Sequence, residues 1–99
     1  MPKDVVKSSG ELTSDAVIRN GRCWLHGAML ISNGGTGTMT LKIYDKGSAG
    51  ATGDLLTKVV LKGTDDTTDI VLSPVYASYG LYADVSGTSA SYITYYAVN

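Results

Sequence analysis

Apolar and polar residues alternate with a period of two along most of this chain, and turn residues interrupt the alternation about every ten positions. That rhythm predicts short β-strands arranged as a sandwich or barrel. Val5 and Val6 fall in a short first strand or arm. Ala16 and Ile18 alternate with Asp15, Val17 and Arg19, and this run ends at the turn dipeptide Asn20-Gly21. The next run, "RCWLHGAMLIS", sets Cys23, Leu25, Gly27, Met29 and Ile31 against Trp24, His26, Ala28 and Leu30. Both sets are largely apolar, which predicts a central strand covered on both faces. "NGGTG" at 33–37 predicts a tight turn, because Asn and Gly tolerate positive φ. In "TMTLKIYD" the pattern is clean, with Met39, Leu41 and Ile43 inward and Thr40, Lys42 and Tyr44 outward.

Further along, "KGSAGATGD" at 46–54 is the longest loop. "LLTKVVLKG" and "TTDIVLS" are two strands pairing around the polar turn Thr64-Asp65-Asp66, and Pro74 ends that pairing because it cannot donate to a ladder. "VYASY" reads as a connection. "GLYADVSGTSASYITYYAV" reads as a closing β-hairpin turning at Ser86-Gly87-Thr88-Ser89. With Leu81, Ala83, Val85 and Ile93 inward, Tyr82, Tyr92 and Tyr96 come together outside. No crossover is long enough for parallel neighbours. The expected fold is therefore all-β, a single antiparallel β-sandwich of seven or eight strands, jelly-roll or immunoglobulin-like. Residues 1–10 form an N-terminal arm or first strand, and residues 11–99 the sandwich domain.

Composition narrows the picture. Ninety-nine residues make one small domain, which hides only roughly 60–65% of its unfolded surface. Glutamate occurs once and glutamine never, while tyrosine occurs seven times, a β-protein profile. One cysteine, Cys23, excludes an intrachain disulfide and a cysteine-based metal site. The net charge is −1 with eight thinly spread basic residues, so no basic stripe exists to bind nucleic acid. No apolar run approaches the roughly 20 residues of a spanning helix. "MPKDVV" offers no signal-peptide core. The expectation is a protein made in the cytoplasm, with neither a nucleic acid nor a membrane as partner.

Catalytic groups are sparse. The single histidine, His26, lies three residues from Cys23, and in a strand those positions face opposite ways. Asp65, Asp66 and Asp69 crowd one turn without the ligand spacing of a calcium loop. "GGTG" lacks the lysine and helix of a phosphate loop. The expectation is a non-enzyme with no cofactor and no metal. The outward tyrosines admit cross-strand stacking or an interface, since tyrosine supplies large contact area at low entropic cost. Candidate interface residues are Trp24, Tyr76, Tyr79, Tyr82, Tyr92 and Tyr96. A different class of function, a glycan-binding module for host attachment, would stack sugars on Tyr82, Tyr92 and Tyr96 or on Trp24.

Several segments together carry a resemblance: "GRCWLHGAMLIS" (21–32), "GTMTLKIYD" (37–45), "LLTKVVLKG" (55–63) and "PVYASYGLYADVSGTSASYITYY" (74–96). Their order and style are similar to small β-sandwich virion proteins of tailed bacteriophages. The resemblance covers most of the chain and transfers no functional residue. It implies a structural component of the virion, foremost a capsid decoration or cement protein bound to the major capsid protein or other virion proteins and forming homo-oligomers. A neck, tail or fibre-anchoring subunit is the alternative it implies.

Overall fold

A computed structural model describes residues 5–34, 37–50, 52–62 and 67–98. Eight strands follow in order: β1 (Lys7–Ser8), β2 (Ala16–Asn20), β3 (Cys23–Ser32), β4 (Thr38–Asp45), β5 (Asp54–Lys62), β6 (Thr67–Ala77), β7 (Gly80–Ser86) and β8 (Ala90–Ala97). They form two four-stranded antiparallel sheets, β1-β8-β3-β6 and β2-β7-β4-β5. Strand 4 pairs with 5, 3 with 6, 2 with 7 and 1 with 8. That nesting is a long antiparallel ribbon wrapped around a core, the jelly roll, and it selects between the two sandwich topologies the sequence left open. Among the strands, only β4 and β5 are both consecutive and paired. The other connections cross from one sheet to the other.

This wiring corrects two pairings expected from the sequence. β7 and β8 are not a hairpin: they lie in different sheets, and residues 87–89 form an arch between them. Gly87 (φ 114°) packs against Met39 so closely that a β-carbon would stand 2.9 Å from its Cα. β5 and β6 are likewise split between the sheets. Residues 64–66, the polar turn considered for calcium, lie outside the described residues, as do parts of the 33–37 turn and of the 46–54 loop. Pro74 does not end a strand. β6 continues through it to Ala77, and the register with β3 shifts there, three residues of β6 standing opposite His26. A bulge accommodates proline because no ladder hydrogen bond is asked of its nitrogen. Val75–Ala77, expected as a connection, are therefore strand.

At the same place β3 carries one extra residue, His26, against β8, which changes which side chains of β3 meet the core. Cys23 and Leu25 point inward, but beyond His26 the inward residues are Ala28 and Leu30. Met29 and Ile31 face out, opposite to a strict alternation. The core is completed by Met39, Leu41, Ile43, Val59, Leu61, Leu81, Ala83 and Tyr92, with Val85 and Tyr96 packed on it. In β4 and β7 the inward sets match the alternation. In β8 they are reversed: Tyr92 and Thr94 are fully buried and Tyr96 packs on the core, while Ile93 faces out. Tyr92 suits the interior because its hydroxyl reaches the sandwich edge and donates to the Ser14 carbonyl at 2.7 Å. Burial, with the nearby Asp15 carboxylate adding to it, pushes this phenol up to about 12.

Candidate functional site

The six aromatic residues proposed as an interface do not share one surface. Tyr92 is in the core and Tyr96 packs against it. Tyr82 does sit on the outer face of β2-β7-β4-β5, between Val17 and Tyr44 in register. It is only 7% exposed. Its hydroxyl lies against the Asp15 carboxylate and the Gly50 backbone N–H, and burial first, then Asp15, raises its pKa. The cluster of Tyr82, Tyr92 and Tyr96 on one outer surface is thus not formed, because the strands carrying it belong to different sheets. Tyr79 stands alone in the β6–β7 turn, 71% exposed. Only Trp24 and Tyr76 remain neighbours, paired in register with ring centroids 5.0 Å apart and planes tilted by 55°.

That pair opens onto a larger feature. On the outer face of β1-β8-β3-β6, Met29 stands directly across from Ile93, and Tyr95 lies across from Gly27, which has no side chain. Ile31 continues the row on β3. Trp24, Met29, Ile31, Ile93 and Tyr95 are half-buried by their neighbours in the sheet, yet none packs on the core. Together with Tyr76 they make the middle of this face apolar. Sequence reasoning named Trp24 and Tyr76 but missed Met29, Ile31, Ile93 and Tyr95. The signal was present in "RCWLHGAMLIS", whose two apolar sides predicted cover on both faces. Within the described residues the chain covers only one.

The opposite sheet presents a different outer face. Lys42 on β4 is flanked in register by Asp84 and Lys58, with Thr40 beside them. Burial, then the neighbouring Asp15 carboxylate, raises the Asp84 pKa, and Lys42 offsets this in part. Exposed Val17, Leu55 and Val60 stand on the edge strands of this sheet.

At one end of the sandwich a cleft of about 650 Å³ opens between the end of β2, the β4–β5 loop and the β6–β7 turn. Asn20, Asp45, Lys46, Thr52, Asp54 and Tyr79 line it. The Asp45 carboxylate accepts from the backbone N–H groups of Ser78 (2.9 Å), Tyr79 (2.8 Å) and Gly80 (3.3 Å), fastening the turn. On the other side, the Gly21 N–H donates to the Tyr79 carbonyl at 2.9 Å.

The residues considered for nucleophilic chemistry are separated. Cys23 is in the core at 1% exposure, and burial pushes its thiol up to about 11 despite the opposing pull of Arg19. Such a thiol stays protonated and inert at neutral pH. His26 sits at the β3 bulge, on the outer side. No three of His, Cys, Asp and Glu converge as a metal-binding group among the described residues. Comparison with known proteins finds no matching protein family, no similar curated protein and no similar solved structure.

Proposed function

We propose that this protein is a non-enzymatic structural subunit of a tailed-phage virion, a decoration or cement protein that seats the apolar outer face of β1-β8-β3-β6 on a capsid subunit. One observation carries the docking reading. The central strands β3 and β8 are apolar on both sides, whereas an antiparallel sheet with one face in water normally alternates. The sequence resemblance supplies the virion context.

Size sets the character of the interaction. The strands of this sheet, of 2, 8, 10 and 11 residues, lie about 4.8 Å apart and rise about 3.3 Å per residue, which gives a face of roughly 500 Å². Covered by a partner, it would bury roughly 1,000 Å² in total, the lower bound for a specific stable interface. Only part of that face is apolar, so at ~25 cal/mol per Å² of apolar surface it contributes less than about 12 kcal/mol before association costs of ~4–15 kcal/mol. A single copy therefore binds weakly, and a repeated lattice that holds many copies suits it better than a solitary complex. Homo-oligomers around a capsid symmetry axis would add to this.

Reconstitution tests the proposal. Capsids lacking the protein should take up hundreds of copies at external sites and gain heat resistance. Binding should be lost on Ile93→Lys. About six or twelve copies per particle would move the protein to the neck or tail, and an absence of uptake at any site would remove the virion reading.

A further inference from the structure

The cleft at the Tyr79 end of the sandwich has no part in the docking face and is built differently. Its aromatic ring is 71% exposed, yet the backbone beneath it is held on two sides. Asp45 fastens the N–H groups of Ser78, Tyr79 and Gly80, and the Tyr79 carbonyl accepts from Gly21. Gly47 packs beneath the turn so tightly that a β-carbon would lie 2.5 Å from the Tyr79 carbonyl oxygen and 2.9 Å from Asn20 Oδ1. A large exposed side chain on a rigid mount is a platform, since the cost of ordering its backbone has already been met in folding.

Chemistry of the walls narrows the ligand. Asn20, Asp54 and Thr52 line the cleft together with Tyr79, and their amide, carboxylate and hydroxyl offer both donors and acceptors. Lys46 is the only cation among the described lining residues, and its ammonium donates to Thr52 Oγ1 at 2.6 Å. With Asp45 and Asp54 present, the cleft carries excess negative charge, so phosphate or sulfate is disfavoured. The oxygens of Asp45 are taken by the turn, and two carboxylates are too few to hold a calcium ion. One aromatic ring is too little wall for a wholly apolar ligand. A neutral polyhydroxylated ring meets each condition, with an apolar C–H face for the tyrosine and an edge of hydroxyls for the amide and carboxylate.

We infer that this cleft binds a neutral saccharide, one pyranose ring stacking on Tyr79 with its hydroxyls bonded to Asn20 and Asp54. The inference does not rest on the docking face.

Titration of the full chain, followed by backbone amide NMR, tests it. The probes are glucose, galactose, N-acetylglucosamine and their β-linked disaccharides, with glycerol as the control. At least one sugar should bind saturably with about millimolar affinity, shifting residues 20, 46–48, 52–54 and 79. Tyr79→Ala should weaken it at least about fivefold, whereas Tyr79→Trp retains it. Asp54→Asn should weaken it less. Tyr79→Ala folds normally, because backbone groups and not the ring hold the turn, and its melting temperature verifies this. Ile93→Lys should leave sugar binding intact, which separates this site from the docking face. Absence of saturable shifts up to 100 mM (roughly the limit for weak sites), shifts equal to those from glycerol, or binding indifferent to Tyr79→Ala would each overturn the assignment.

Discussion

The two sheets bury similar inner faces and present unlike outer ones. On β2-β7-β4-β5 the middle strands carry Thr40, Lys42, Tyr44, Tyr82 and Asp84 outward, a row rich in charge and hydroxyls in which only Tyr82 is buried. On β1-β8-β3-β6 the corresponding positions are Trp24, His26, Met29, Ile31, Ile93 and Tyr95, mostly apolar, with Asp69 across from Met29 and Ser91 across from Ile31. The first arrangement suits a sheet that ends at solvent. The second is the feature on which the proposed docking rests. Scattered apolar residues on a surface are ordinary, but a contiguous patch over the centre of a sheet marks an interaction surface.

Adjacent residues on opposite sides of β8 give the sharpest test of that contrast. Tyr92→Ala should cost about 3–5 kcal/mol of folding stability, as deletion of a buried ring does, while Ile93→Ala should cost about 1 kcal/mol or less. Chemical denaturation of the two variants checks this, and equal losses would erase the distinction between inner and outer sides. For docking the ranking should invert. Ile93→Lys should weaken capsid binding by at least about 30-fold, the size of a lost hot spot. Val60→Lys on the other sheet should leave binding within about twofold, read by co-sedimentation with particles.

High pH probes the buried Tyr92 of β8 together with the buried Cys23 of β3. Tyr92 and Cys23 have folded-state pKa values raised above those of the unfolded chain, to about 12 and about 11. Between roughly pH 9 and 12 the unfolded chain has already lost protons that the folded chain keeps, so stability falls as pH rises. Stability from these two groups is fully present below about pH 8.5. Tyr92→Phe should flatten the fall above pH 10 and cost about 1 kcal/mol at neutral pH, for the hydrogen bond to Ser14. Smallest of all, Lys42→Ala on the polar face should change stability by no more than about 0.5 kcal/mol, with melting curves superimposed on those of the parent.

Much of the fold could be read locally. Period-two alternation located most of the strands, and in "TMTLKIYD" and in Leu81, Ala83 and Val85 it assigned the inward side correctly. It failed where both sides of a strand are apolar. In "SYITYY" either choice of face buries comparable surface, and the rule of aliphatic inside and tyrosine outside chose wrongly. Tyr92 could go in because Ser14, far away in sequence, offers a carbonyl to its hydroxyl. In β3 strict alternation sets Met29 and Ile31 on the side of Cys23 and Leu25, but one extra residue at His26 in the pairing with its neighbour β8 turns them to the outer face. Alternation within one segment carries no trace of that partner. The Tyr79 cleft was equally hidden, since its walls come from three separate stretches of chain.

By itself, then, the amino-acid order determined an all-β domain, the approximate position of most strands, and a third strand too apolar for a solvent-facing sheet. These follow from side-chain alternation and turn chemistry, which act over a few residues. Only the tertiary structure decided which turns are arches, which face of β8 enters the core and where the apolar outer face lies. Those depend on pairing strands distant in sequence, such as β1 with β8, and a strand's partner is chosen by the burial of the whole ribbon.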